Sequence, residues 1–360
     1  MQNEKKILIV GAGPSGLSMG IFLSELGYKP KIIDKKNQIS EYSKAIGVNP
    51  RSLEILDTFD ITKRFLANGR RMNAVNLWKG DKLIYKNKFT HVNHKYPFML
   101  VQSQKESEEI LLDELQKRGI NVEYGTEFES HKRTKSQYSV SLNDGSANTL
   151  NFDYIIGADG GQSQVRKQLN IKYKGFRYDA EWELYDIELD TELLLDEAHI
   201  RLFKEGGMMM VRLKENIWRV VGNMTSLLNY LPKRTKIGKI HWESKFRILH
   251  KVAESLVREN AVLIGDAAHL HSPIGARGMN LGIEDALIAS KLIHKNRIQE
   301  YDGLRRAYLE KTVKRINNIT TGVAGSSTMS RILRNQIGNL QVLFPIIMPK
   351  VQSFVLGLTK

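Results

Sequence analysis

The chain of 360 residues contains no cysteine. That absence removes disulfides, thiolate metal sites and thiol nucleophiles together. No stretch reaches the roughly 20 consecutive apolar residues that a membrane-spanning helix needs. The N-terminus does not read as a secretory leader, because its apolar run follows Glu4-Lys5-Lys6 and leads straight into glycines. A cytoplasmic location is therefore expected. Internal repeats and low-complexity linkers are missing too. Acidic residues are in deficit, 39 against 54 basic ones, for a net charge of +15. Such a field attracts anions of many kinds. The basic residues are scattered in short pairs such as Lys35-Lys36, Arg70-Arg71 and Arg305-Arg306, and no nucleic-acid motif accompanies them. They read as a lysine-rich surface, with no nucleic-acid partner.

What is present is a core and a nucleotide signature. With 41% hydrophobic residues the chain can bury one large or two interleaved domains. Residues 6–16, KILIVGAGPSG, form an apolar strand running into Gly11-Ala12-Gly13-Pro14-Ser15-Gly16. Gly11 permits a tight turn, Gly13 lets backbone approach a pyrophosphate, and Gly16 lets the next helix pack against the strand. Leu17, Ile21 and Leu26 then form an apolar stripe, Gly27 stops the helix, and a second strand ends in Asp34. Asp34 lies 23 residues after Gly11, near the spacing of roughly 20 expected of a carboxylate that holds a ribose hydroxyl.

Further along, the pattern predicts helices over 51–59 and 106–118, the second stopped by Gly119. Segments 122–124 and 138–142 with an Asp144-Gly145 turn predict a hairpin, and 153–156 a short apolar strand. Residues 182–221 change to alternating strands (185–189, 208–213 and 218–221). Nucleotide-domain character returns with a strand at 261–265 and a helix over 281–294. The expected architecture is α/β: a Rossmann-like domain over 1–72, 100–180 and 255–310. An inserted, mainly antiparallel sheet domain takes 73–99 and 181–254, and a helical region takes 311–360.

Two further segments each end an apolar strand in a glycine turn with an acid: Gly157-Ala158-Asp159-Gly160, and Gly265-Asp266-Ala267-Ala268-His269 continuing through Pro273, Gly275, Gly278-Met279-Asn280 and Asp285. Strand C-terminal ends are where open α/β sheets bind ligands. In this order the three motifs make the chain resemble the single-component FAD-dependent aromatic hydroxylases, the para-hydroxybenzoate and phenol hydroxylase type of flavoprotein monooxygenase. Outlying matches are SKAIGVNPRSLEIL from Ser43 to Leu56, Gln104 with Glu108, and Trp242 to Arg247. The resemblance covers about residues 5–310.

That resemblance implies FAD as cofactor, NADPH or NADH as co-substrate, and oxygen insertion into a phenol-like ring by way of a flavin C4a-hydroperoxide. Gly11, Gly13, Ser15 and Gly16 would hold the pyrophosphate and Asp34 the adenosine ribose, with Lys35 beside it. Lys44 and Gln104 would contact the flavin side. Asp159 and Gly160 would lie near FAD and the NAD(P)H path, and Asp266 would bind the ribityl chain. Gly278, Met279 and Asn280 would line the isoalloxazine, with Pro273 at the face where oxygen reacts. Relatives usually carry Arg where Lys44 stands, and Ala276-Arg277 replaces a glycine-rich turn. Arg277 is thus read either as a charge beside the ring or as a surface residue. The thioredoxin-like C-terminal domain of larger phenol-hydroxylase relatives is not expected.

No catalytic base is named by these residues. Tyr185, His199, Arg201 and Arg219 are candidates only through their place on the presumed substrate sheet. His269 and His271 lack a third free metal ligand, so no metal is expected. Met208-Met209-Met210 reads equally as cavity wall or core. Leu333, Ile337, Leu340 and Phe344 with Arg331 and Arg334, followed after Pro345 and Pro349 by Val351, Phe354, Val355 and Leu358, form a basic amphipathic tail. It would dock on the protein's own body, join a dimer, or lie on a membrane, so monomer and homodimer both stand. The competing readings are a membrane-associated hydroxylase or reductase of a quinone precursor or isoprenoid, and a flavin-binding protein without catalysis.

Overall fold

A computed structural model describes residues 5–41, 45–134, 136–143, 149–325 and 344–359. The run Ile7–Val10 is buried along its whole length, as a central parallel strand must be. It lies between Tyr154–Gly157 and Lys31–Asp34, and the sheet continues outward to Ala261–Leu263 and Val257–Arg258 on one side and Val122–Tyr124 on the other. Helices Pro14–Glu25, Gln104–Lys117 and Gly278–His294 pack together beside it. Their apolar residues join the strands in one core through Leu17, Ile21, Leu111, Leu115 and Ile283. The helix Gln104–Lys117 starts with a full capping box, Ser103 against Glu106, which satisfies two orphan N–H groups.

Segment 122–124 belongs to this parallel sheet, correcting the hairpin expected with 138–142. Tyr138–Asn143 instead pairs with Glu127–Arg133 on one side and Thr149–Phe152 on the other. Short strands carry little register information, so sequence adjacency misled here. The Asp144-Gly145 turn lies outside the described residues.

The second large layer is an eight-stranded sheet in the order His269–Leu270, Lys236–Ala253, Tyr173–Asp190, Ile217–Gly222, Gly207–Lys214, Glu197–Leu202, Ala74–Lys79, Lys82–Lys88. All neighbours are antiparallel except Glu197–Leu202 with Ala74–Lys79. Its two longest strands, 18 residues each, run side by side from Tyr173↔Ala253 to Asp190↔Lys236. The first of them is continuous through residue 180, where the sequence suggested a boundary, and the helix Tyr301–Ala324 is likewise continuous through 311. The fold is thus a Rossmann-like α/β unit with an inserted, mainly antiparallel sheet and C-terminal helices. A three-stranded sheet, Gly47–Val48, Met99–Val101 and Arg70–Met72, also contributes residues to the cavity described next.

Candidate active site

One cavity of about 680 Å³ runs from the first glycine turn to the inner face of the eight-stranded sheet. At its nucleotide end the backbone leaves the strand Ile7–Val10 through Gly11 at φ +105. A Cβ at Gly11 would stand 2.3 Å from the carbonyl oxygen of Ala158, and one at Gly16 would stand 1.9 Å from that of Gly11. Only glycine fits either place. The helix Pro14–Glu25 that follows has no side-chain cap and no acid in its first turn, so its leading N–H groups face the cavity unspent. Asp34 braces the turn: Oδ2 accepts from the N–H of Ala12 at 2.7 Å and Oδ1 from that of Lys36 at 2.9 Å. Lys35, Gln104 and Glu108 line the same end, and Gln104 Nε2 donates to Glu108 Oε1 at 2.7 Å. Burial pushes the Glu108 carboxyl up.

Midway, Asp159 follows the strand Tyr154–Gly157. Its Oδ2 accepts from the N–H groups of Gln164 and Val165, at 2.6 and 3.1 Å. Its Oδ1 is buried without a partner among the described residues, and burial pushes the carboxyl up. Gly160 beside it, at φ +77, has open space around it. Asp266 is exposed on the turn Gly265–Ala267 and opens onto the cavity, whose walls push its carboxyl up, with His269 opposing.

That turn is anchored from behind. The N–H of Gly265 donates to Asp285 Oδ2, which also faces His269 Nε2 at 2.6 Å, while Arg305 donates to Asp285 Oδ1 at 2.9 and 2.6 Å. Burial alone would raise Asp285; Arg305 and His269 outweigh it and hold the carboxyl at about 2. His269 is therefore tied to Asp285 through Nε2. His271 stacks on it at 6.2 Å and lines the cavity. Burial, aided by the neighbouring His269 and Arg277, brings His271 down to about 3.

Pro273, Gly278 and Met279 line the cavity wall where the helix Gly278–His294 begins, three residues before its expected start. Asn280 and Gly16 stand one layer behind the surface. Asn280 accepts from the N–H of Asn49 and donates to the carbonyl of Gly47, both at 2.9 Å, tying the helix start to the strand Gly47–Val48. Arg277 is fully buried, which rules out the surface reading. Its Nη2 donates to Tyr308 Oη at 3.0 Å and lies 3.7 Å from Glu284, and its guanidinium sits 5.6 Å from the Phe354 ring. Arg277 also lines the cavity, and its Nε and Nη1 are buried without a partner among the described residues. Lys44 lies outside the described residues.

Strand alternation sorts the far wall. Met208 and Met210 enter a core with Trp218 and Ile187, while Met209 and Val211 face the cavity. Of the four residues suggested on this sheet, Arg219 alone lines the cavity; Tyr185, His199 and Arg201 do not. Sequence reasoning missed Asn87 and a whole wall from the C-terminal helix Phe344–Val355, namely Met348, Val351, Gln352 and Val355. Their spacing of three and four residues was the available signal. This described part of the tail docks on the protein's own body; Leu333, Ile337 and Leu340 lie outside the described residues.

The sequence profile of the FAD binding domain family matches residues 4–321, and the chain belongs to that family. It is 27% identical over 372 aligned residues to 6-methylpretetramide 4-monooxygenase of Streptomyces rimosus, covering 97% of this chain and 65% of the relative. Against pentachlorophenol 4-monooxygenase of Sphingobium chlorophenolicum it is 28% identical over 306, covering 79% and 57%. The chain thus spans less than two thirds of these curated relatives. The fold is shared over the full length of both chains with p-nitrophenol 4-monooxygenase PnpA from Pseudomonas putida DLL-E4, at a TM-score of 0.86 and 18% identity. FAD is the family's cofactor, and the cavity suits it. An open glycine turn meets free helix N–H groups, the orphaned Asp159 Oδ1 awaits a hydroxyl donor, and Asp266 stands open further along.

Proposed function

We propose that the chain is an FAD-dependent, NAD(P)H-driven monooxygenase that hydroxylates a phenol-like aromatic ring. One observation carries this reading: the cavity that begins at a nucleotide turn ends in a chamber with apolar walls, so a redox cofactor and an apolar substrate share one enclosed space. Residues 1–72, 100–180 and 255–310 would form the cofactor unit, and 73–99 with 181–254 the substrate unit. Helix N–H groups behind Gly13 and Ser15 would meet the pyrophosphate, with Gly11 and Gly16 shaping the turn. Asp34 would accept from the ribose, with Lys35 beside it, and Asp159 and Asp266 from other hydroxyls. Gln104, Gly160, Pro273, Gly278 and Met279 would border the ring system, with Asn280 holding that wall in place and Lys44 a further contact. Bound FAD supplies reduction by the pyridine nucleotide and activation of oxygen. The protein's own part is to orient the ring and exclude water, which the apolar walls from Val75, Met209, Val211 and Val221 do. NADPH is the favoured donor, because the net charge of +15 suits a more anionic nucleotide.

The test is purification with bound FAD, followed by NAD(P)H oxidation under oxygen with a panel of phenols. A yellow protein whose oxidation of NADPH rises with one of them supports the reading. Protein that cannot be loaded with FAD removes it, and FAD binding without nucleotide oxidation would leave a flavin-binding protein. A second reading rests on Ile346 and Ile347, 65% and 48% exposed on the C-terminal helix, which a peripheral membrane contact would use. Co-sedimentation with anionic liposomes, lost in Ile346→Ser/Ile347→Ser, would support it.

A further inference from the structure

Of the charged side chains that the eight-stranded sheet turns to the cavity, Arg219 is buried, and its charge is already cancelled. Arg219 and Asp186 are direct cross-strand partners, on Ile217–Gly222 and Tyr173–Asp190. Arg219 is 4% exposed, and it donates from Nε and Nη2 to the two Asp186 oxygens, each at 2.7 Å. The fork-to-fork pairing is the strongest geometry available to this ion pair. Trp242, beside Asp186 on the next strand, lays its ring 5.2 Å from the guanidinium carbon. The third nitrogen, Nη1, is buried and has no partner among the described residues. Among the other polar side chains here, Asn87 and Gln352 are amides, Ser272 is a hydroxyl, and His271 is an imidazole that burial keeps neutral. Arg277 lines the cavity too; Glu284 balances its charge and its Nη2 donates to Tyr308, while Nε and Nη1 have no partner among the described residues. Arg247 lines the cavity but is exposed, and a hydrated charge gains little from pairing.

We propose that this chamber selects an uncharged aromatic ring carrying a neutral oxygen acceptor, and discriminates against aromatic carboxylates. This rests on the hydroxylase reading above and names its substrate class. Arg219 offers the two N–H groups of Nη1, and leaving them unmet in a buried site is unfavourable. A ring hydroxyl, carbonyl, amide or nitro oxygen accepts from them. A carboxylate brings a full charge into an apolar chamber, where Asp186 has already taken the countercharge, so its lost hydration goes uncompensated. The pair works as a charge filter: Arg219 gives direction, and Asp186 removes the attraction for anions.

The experiment compares two rings of nearly equal shape, 4-hydroxybenzamide and 4-hydroxybenzoate, at pH 7. Binding to the FAD-loaded protein is read from the change in flavin absorbance, without turnover. The native protein should bind the benzamide at least tenfold more tightly. Arg219→Gln should weaken benzamide binding about tenfold. Asp186→Asn, which releases the cation, should tighten benzoate binding tenfold or more and reverse the preference. If Asp186→Asn does not fold, the native protein and Arg219→Gln still decide. Native protein that binds benzoate as tightly as benzamide, or more tightly, overturns the inference while leaving a phenol hydroxylase intact. If neither ring perturbs the flavin up to its solubility, the aromatic site itself fails and the inference falls with it.

Discussion

His269 Nε2 lies 2.6 Å from Asp285 Oδ2, and both side chains are sealed from solvent. Arg305 closes the other side of the same carboxylate. Through the N–H of Gly265, the carboxylate also fixes the turn that presents Asp266 to the cavity. A residue without cavity exposure thus sets the position of one that has it.

Asp285→Asn should therefore damage both stability and cofactor retention. It leaves Arg305 buried with Glu284, at 3.6 Å, as its remaining acid. Breaking a buried pair from one side costs about 3–5 kcal/mol, and the Glu284 contact puts the expectation at the lower end. Thermal denaturation should show a large fall, and free FAD should appear by fluorescence at temperatures where the parent retains it. The native carboxylate, held at about 2, is depressed relative to an unfolded value near ~3.9. Its stabilisation is present above about pH 4 and is lost as pH falls toward 2. A variant that matches the parent in Tm and FAD retention would show that the pair holds nothing.

His250 gives a second pH dependence, in a milder range. It is buried, stacked on Phe176 at 5.5 Å, and burial holds it down at about 4. The unfolded imidazole titrates near ~6.5, so the unfolded chain takes up the proton first. Stability is full above about pH 6.5 and is lost as pH falls toward 4, by on the order of 3 kcal/mol. His250→Phe should flatten urea-denaturation midpoints between pH 6.5 and 4. An unchanged slope in that variant would assign the effect to other groups.

Ala276 occupies φ +50, in the left-handed region, between Gly275 and Arg277. That conformation costs a non-glycine residue roughly 1–2 kcal/mol. Ala276→Gly removes the strain but adds chain entropy worth about 0.4–1 kcal/mol to the unfolded state. The net expectation is a protein as stable as the parent or up to about 1 kcal/mol more stable. A clear drop in Tm would mean that the Ala276 methyl, which packs with Met99 and Val101, outweighs the strain.

Much of the nucleotide half was legible because its chemistry is local. A turn that admits a pyrophosphate needs glycines at fixed offsets, and Gly11, Gly13 and Gly16 carry that signature within six residues. Asp159 and Asp266 were legible for the same reason, as acids ending apolar strands. The substrate half was not. Arg219 meets Asp186 through strand register, and a one-residue slip would turn both to the other face. On the helix Gly278–His294, one residue separates Met279 on the cavity from Asn280 behind it, since each step rotates the side chain by about 100°. The wall from Met348 to Val355 is distant in sequence from every other cavity residue except Ile319, so its helical spacing marks an apolar face without saying what that face covers.

Phe354 joins that wall to the rest of the protein. Its ring lies between two guanidinium groups, 5.6 Å from Arg277 and 5.7 Å from Arg315, and is almost fully buried. The same helix puts Met348, Val351, Gln352 and Val355 on the cavity, while Gln352 Nε2 donates to the carbonyl of Lys88 at 2.8 Å. Phe354→Ala removes two cation–π contacts and leaves a void, at a cost of about 3–5 kcal/mol for a buried Phe. Loss of that size at one helix should show as local opening, because the parallel-sheet core makes no use of Phe354. Amide exchange should rise across 344–359 and stay unchanged in Ile7–Val10 and Lys31–Asp34. The KM for an aromatic substrate should rise about tenfold, with FAD retention unaffected. Arg315→Gln removes one of the two cations and should give a smaller change in the same direction. Exchange that rises uniformly over the whole chain would make Phe354 an ordinary core residue instead of the clasp of a cavity wall.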